Sequence, residues 1–185
     1  KTNYIKELKK CGDPLYKTNN YWIFKELKTD VEIIAYHRIL GVSKKFIKTN
    51  GGVYVVDNEK TETNYDSMSD EKKFILNEQI NQMIKHKYKF YSYNGGLRTD
   101  ILEGMEDVAM RETGQKNPFS HKVVIIDEVH NFISRIVNKL KQPNSLSYRL
   151  YEHLMSAVNC RLVFLSGTPI INYPNEIGVL FNMLR

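Results

Sequence analysis

Val123-Val124-Ile125-Ile126-Asp127-Glu128-Val129-His130 sets four aliphatic residues directly against two acids and a histidine. An unbroken β-branched run bounded by polar residues predicts a strand buried on both faces, the kind found in parallel α/β sheets. The acids fall at the carboxyl end of that strand, outside which ligands of open α/β sheets bind. Carboxylates so placed suit a nucleotide site, with Asp127 holding Mg²⁺ and Glu128 polarising the attacking water. The plainer alternative is a core strand that ends in solvated acids.

A second run, Arg161-Leu162-Val163-Phe164-Leu165-Ser166-Gly167-Thr168-Pro169, also breaks from apolar residues into small hydroxyl ones. Together, Asp-Glu-Val-His and Leu-Ser-Gly-Thr-Pro resemble motifs II (Walker B) and III of superfamily 2 helicases and translocases. The likeness continues through Ile170-Ile171-Asn172 and Asn175-Glu176 to Leu180, Asn182 and Leu184, in the manner of the chromatin-remodeller branch. It is specific over residues 119–185 and weaker upstream. Phe90-Tyr91-Ser92-Tyr93-Asn94 resembles the segment before motif Ib, and Lys1-Thr2-Asn3-Tyr4 resembles the tail of motif Ia. The Lys/Asn/Tyr-rich composition and the motif spacing are similar to helicases of large cytoplasmic DNA viruses, including early-transcription-factor ATPases and nucleoside triphosphatase I.

The resemblance implies an α/β fold: an incomplete N-terminal helicase lobe with a RecA-like parallel β-sheet and helices on both faces. It implies ATP and Mg²⁺ as cofactors and nucleic acid as partner, DNA in preference to RNA, with RNA polymerase or other transcription proteins as further partners. Asp127 would bind Mg²⁺ through water, and Glu128 would be the catalytic base. His130 would bridge the nucleotide site to motif III, where Ser166, Gly167 and Thr168 couple nucleotide state to grip on the strand. Lys1, Thr2, Asn3, Tyr93 and Asn94 become candidate nucleic-acid contacts.

Hydrolysis in this family needs a phosphate loop, Gly-x-x-x-x-Gly-Lys-Ser/Thr, whose backbone N–H groups and lysine cradle the phosphates. None of the 185 residues forms one; Gly51-Gly52, Gly95-Gly96 and Gly114-Gln115-Lys116 all lack the pattern. With no initial Met either, the expectation is a fragment that starts after motif I, a degenerate helicase domain being the other explanation. A function from a different class stays open: a non-catalytic nucleic-acid-binding or transcription-factor module that keeps the fold.

Composition narrows the class. Hydrophobic residues make up 42% and charged residues 26%, which predicts a globular domain. No run approaches the roughly 18 apolar residues of a membrane span, and the opening residues are no signal peptide. An intracellular, cytoplasmic location is expected, in a viral factory or virion for a viral protein. Cys11 and Cys160 offer no disulfide framework or metal spacing. The net charge of +6 fits a polyanion partner without requiring one.

A single partial domain over 1–185 is expected, with a basic insert at about 15–62. Apolar spacing predicts helices over 1–10, about 31–39, from Ser69 or Asp70 to about His86, 97–110, after His130, from Leu146, and at the C-terminus with Pro174 in the first turn. Strands are expected at Trp22–Phe24, Val53–Val56 and Tyr88–Tyr93. Ser43 would cap a short helix stopped by Gly51, against a competing hairpin about Asn50-Gly51.

Overall fold

The computed structural model describes residues 2–92, 97–168 and 174–184. The chain divides into two compact units, residues 1–90 and 91–185.

The first unit contains α1 (Thr2–Cys11), a 3-10 turn (Pro14–Tyr16), β1 (Trp22–Glu26), α2 (Asp30–Leu40), α3 (Lys44–Asn50), β2 (Gly52–Val56) and α4 (Asp70–Lys87). Local chemistry sets these limits. Thr29 starts α2 with a reciprocal capping box, its hydroxyl accepting from the Glu32 N–H at 3.2 Å while the Glu32 carboxylate accepts from the Thr29 N–H at 3.0 Å. Ser43 caps α3 by accepting from the Phe46 N–H at 3.2 Å. Gly41 (φ 67°) and Gly51 (φ 71°) end α2 and α3 in the left-handed region. The helix ending at Gly51 therefore prevails over a hairpin turn there. β1 and β2 pair antiparallel, with Trp22 opposite Val56 and Glu26 opposite Gly52.

Two side-chain amides finish this small sheet. Gln79, fully buried, donates to the Tyr54 carbonyl and accepts from its N–H, both at 2.7 Å. Asn64 does the same for Trp22 at 2.8 Å. Each satisfies outward backbone groups as a further strand would. Trp22, Ile33, Val42, Ile47, Val53, Leu76, Ile80 and Ile84 form the core beneath.

The expected strand at Tyr88–Tyr93 is a correction: residues 88–92 form no strand, and Tyr93 lies outside the described residues. The Tyr88 ring meets Tyr16 edge-on at 6.3 Å, and Phe90 packs beside Tyr88 at 6.4 Å. The alternating aromatics lay an irregular segment on the core rather than pairing it to a neighbour.

The second unit contains α5 (Thr99–Thr113), β3 (Val123–Asp127), α6 (Val129–Val137), α7 (Leu146–Ser156), β4 (Arg161–Leu165) and α8 (Asn175–Leu184). β3 and β4 are parallel, with Val123 opposite Arg161 and Asp127 opposite Leu165. α6 and α7 make the crossover that parallel pairing demands. Val124, Ile126, Leu162 and Phe164 face a core of helix residues that includes Val129, Ile133, Ile136, Leu150, Leu154, Val179 and Met183.

The opposite face is not covered among the described residues. Val123 is 64% exposed, Ile125 52%, Val163 40% and Leu165 41%. The expectation of a strand buried on both faces is corrected here. The four aliphatics of β3 are the sequence of a doubly covered strand, but helices cover one side of it.

Candidate functional site at the strand ends

The parallel register brings the carboxyl ends of β3 and β4 side by side, because Asp127 pairs with Leu165. The residues that follow, Glu128 and Ser166, leave the sheet at the same level. β3 passes into α6 with no intervening loop, and Glu128 makes the whole turn. Its backbone is left-handed, φ 48° and ψ 48°. A non-glycine residue held there costs on the order of 1 kcal/mol, and such outliers concentrate at functional sites. Asn or Gly would turn the chain more cheaply, so Glu128 stands here against its local backbone preference.

His130 sits in the first turn of α6 and is 9% exposed. Its Nδ1 lies 2.7 Å from the Ser166 Oγ and 3.4 Å from a Glu128 carboxylate oxygen. With Nδ1 unprotonated, the Ser166 hydroxyl donates to it; with Nδ1 protonated, the ring donates to Oγ. The same Oγ accepts from the Thr168 N–H at 3.2 Å. Ser166 is therefore the joint between the two strand ends: it holds the histidine on one side and the Ser-Gly-Thr turn on the other. Either state of the ring ties α6 to the β4 exit, and a hydrogen bond of this kind contributes about 1 kcal/mol.

Asp127 and Glu128 are exposed, and the Glu128 N–H donates to the Asp127 carboxylate at 3.1 Å. Among the described residues no three His, Cys, Asp or Glu side chains converge as a metal cage. Magnesium on a nucleotide needs none, since one or two carboxylates plus phosphate oxygens and water complete its shell. Asp127 fits that limited role.

Other expected site residues stand differently. Thr168 joins through its backbone N–H to Ser166 rather than through a hydroxyl bond to His130. A Cβ on Gly167 would meet nothing within 4 Å, so no described neighbour requires a glycine there. Asn3 is exposed in the first turn of α1, and Thr2 opens the same helix. Lys1, Tyr93 and Asn94, and the Pro169–Asn172 stretch, lie outside the described residues.

One polar cluster has no counterpart in the sequence reading. Glu106 of α5, side chain 3% exposed, accepts from Arg149 at 2.8 Å, from His153 Nε2 at 2.7 Å and from Lys116 at 3.1 Å. Burial pushes its carboxyl up, but hydrogen bonds from His153, Lys116 and Arg149 overcome that and hold it at about 2. The available signal was on α7, where Arg149 and His153 stand four apart beside core residues Leu150 and Leu154 and so share a helix face.

The sequence resembles viral helicase-like proteins. A candidate ATP-dependent RNA helicase of Acanthamoeba polyphaga mimivirus is 34% identical over 117 residues, 63% of this chain and 17% of that protein. A termination factor NPH-I homolog of African swine fever virus is 39% identical over 62 residues, 34% of this chain and 9% of that protein. A second candidate RNA helicase of the same mimivirus is 38% identical over 66 residues, 33% of this chain and 8% of its own length. The chain thus spans less than a fifth of the length of these curated relatives. No family model matches the chain. No solved structure matches it.

Proposed function

We propose that this chain is part of the ATP-binding lobe of a nucleic-acid-dependent ATPase of the helicase or translocase type, acting on DNA in transcription or remodelling. The hydrogen bond between His130 and Ser166 carries the reading. Two motifs 36 residues apart in sequence meet through the side chains that would couple a nucleotide site to motif III. The parallel β3–β4 pair would be the centre of a RecA-like sheet, with residues 91–185 as the nucleotide-binding portion.

Bound Mg²⁺–ATP would supply the phosphoryl group whose transfer to water the site promotes. Asp127 would hold the metal shell through water at the end of β3. Glu128, pointed out of the sheet by its left-handed backbone, would orient the attacking water and take its proton. His130 lies within reach of both Glu128 and Ser166, so a shift of the Glu128 carboxylate would be felt at the β4 exit. Thr168 follows because its N–H rests on the same hydroxyl. The phosphate-cradling half of such a site has no counterpart among these 185 residues. The helicase and termination-factor names of the relatives favour nucleic acid as partner, and RNA polymerase or other transcription proteins are proposed as further ones. A cytoplasmic place of action goes with this reading.

The full-length gene product should hydrolyse ATP faster when DNA is added, and Ser166→Ala should lower the ratio of stimulated to unstimulated rate by about tenfold. Steady-state phosphate release measures both. A protein with no DNA-stimulated hydrolysis, or an unchanged ratio in the variant, would overturn the coupling role.

A further inference from the structure

Most of the formal charge of +6 lies in residues 1–90. Part of it is neutralised locally: Lys48 pairs with Asp30 at 3.0 Å, Lys87 with Asp13 at 3.2 Å and Lys10 with Glu7 at 2.9 Å. A second set flanks one junction and forms no ion pair among the described residues. The α2–α3 turn docks on the C-terminal half of α4, where the Ser43 N–H donates to the Gln82 side chain at 2.9 Å. One turn further along α4, the His86 ring lies against Gly41, so closely that a Cβ on that residue would collide with it.

Gln82, Lys85 and His86 fall at i, i+3 and i+4 of α4, a single stripe, and Lys89 follows two residues beyond the helix end. The stripe that touches the turn therefore also presents Lys85, and the Lys89 ammonium, from the segment after α4, folds back to the Lys85 carbonyl at 3.5 Å. Arg38 lies in the last turn of α2, before the Gly41 cap, and Lys44 and Lys45 open α3. Arg38, Lys44, Lys45, Lys85, His86 and Lys89 are all exposed. The acids of α2 are engaged elsewhere, Asp30 with Lys48 and Glu32 in the capping box, and Glu78 of α4 accepts from the Asn81 amide at 3.1 Å.

We infer that the junction of α2, α3 and the C-terminal half of α4 is a binding surface for the phosphate backbone of a nucleic acid. Lysine ammonium groups are compact donors suited to phosphate oxygens, and backbone contacts of this kind position a strand without reading its sequence. The Gly41–His86 and Ser43–Gln82 contacts fix the turn, so the cations are held in place rather than scattered on mobile loops. A membrane surface fits less well, because an interfacial site needs several apolar anchors among its cations. On the last turn of α2, Ile39 is 72% exposed, while Leu40 packs against the core.

The inference rests on the nucleic-acid part of the proposed function and is independent of hydrolysis, so binding is read without nucleotide. Labelled random-sequence duplex DNA, its single strand, an RNA of the same sequence and phosphatidylserine vesicles are titrated against the full chain. The triple variant Lys44→Glu/Lys45→Glu/Lys85→Glu should bind DNA or RNA at least tenfold more weakly. Its plot of log affinity against log salt should flatten by about 0.9 per lost contact on duplex DNA. All three positions are exposed, and an unchanged thermal melt shows that the variant folds. A control triple in the same unit, Lys6→Glu/Lys28→Glu/Lys72→Glu, carries the same charge change away from the junction and should bind within about threefold of wild type. Equal weakening in both triples, no weakening in the first, or binding to vesicles alone would each overturn the surface. A protein that hydrolyses ATP but binds nucleic acid without regard to the junction loses only this inference. One that binds through the junction and hydrolyses nothing loses only the ATPase reading.

Discussion

Glu106 shows what a single buried charge does to this chain. Its carboxyl titrates at about 2 in the folded protein against an ordinary 4.5, so the unfolded chain takes up its proton first as pH falls. The stabilisation is complete above about 4.5 and is lost between there and about 2. Glu106→Gln should cost about 3 kcal/mol at neutral pH, because the buried carboxylate that gathers Arg149, His153 and Lys116 is lost and the exposed Glu103, 3.3 Å from Arg149, replaces it only in part. The variant should also lose most of the acid dependence of stability in that window. Urea melts from pH 7 to pH 3 measure both, and a variant as stable as wild type at pH 7 would refute the clamp. Sequence alone shows Arg149 and His153 on one helix face but not their partner, which lies more than 40 residues away. His130 and Ser166 differ in that respect. Each sits at the end of an apolar run, so the parallel pairing of those runs already implies that they meet.

At the level of elements, caps and periodicity carry most of what was legible. Ser43, Ser69, Gly51 and the apolar spacing of α4 and α6 mark helices that the structure contains, because these signals act within one turn of the chain. The failures are non-local. Tyr88–Phe90 alternates like a strand, yet it pairs with no strand among the described residues, and Tyr88 packs on Tyr16 and Phe90 on Tyr88 instead. The β3 run reads as covered twice, but cover depends on what lies across the sheet. Gly41 tests how firmly one such contact is built. Gly41→Ala should destabilise the chain by about 2 kcal/mol, from the left-handed φ and the collision with the His86 ring. Adding His86→Ala should recover less than half, because it removes the ring but leaves the His86 Cβ at 2.8 Å and the backbone strain. Chemical denaturation of the single and double variants checks this, and no recovery would mean that the ring is not the obstacle.

Across the whole chain, charge and chemistry divide between the two units. The first holds most of the positive charge, and the second holds the paired strand ends. Composition shows no break near residue 90, so the division was not legible; two sets of apolar residues close on themselves only in three dimensions. The absence of a phosphate-loop pattern is legible in the sequence and has a direct consequence. Mg²⁺ binds weakly to one or two carboxylates without a held phosphate chain. Residues 1–185 alone should bind ATP–Mg²⁺ no better than about millimolar, as isothermal titration would measure; a micromolar dissociation constant would reveal a phosphate cradle within these residues.

The central claim is that the strand-end acids are hydrolytic machinery rather than solvated termini, and Glu128→Gln in the full-length gene product tests it most directly. The amide keeps the size and the left-handed turn but cannot take a proton from water. ATP binding should stay within about threefold of wild type while DNA-stimulated turnover falls by at least a hundredfold, in line with loss of a general base. Turnover at the wild-type rate would contradict the account and return Glu128 to the role of a turn residue between β3 and α6.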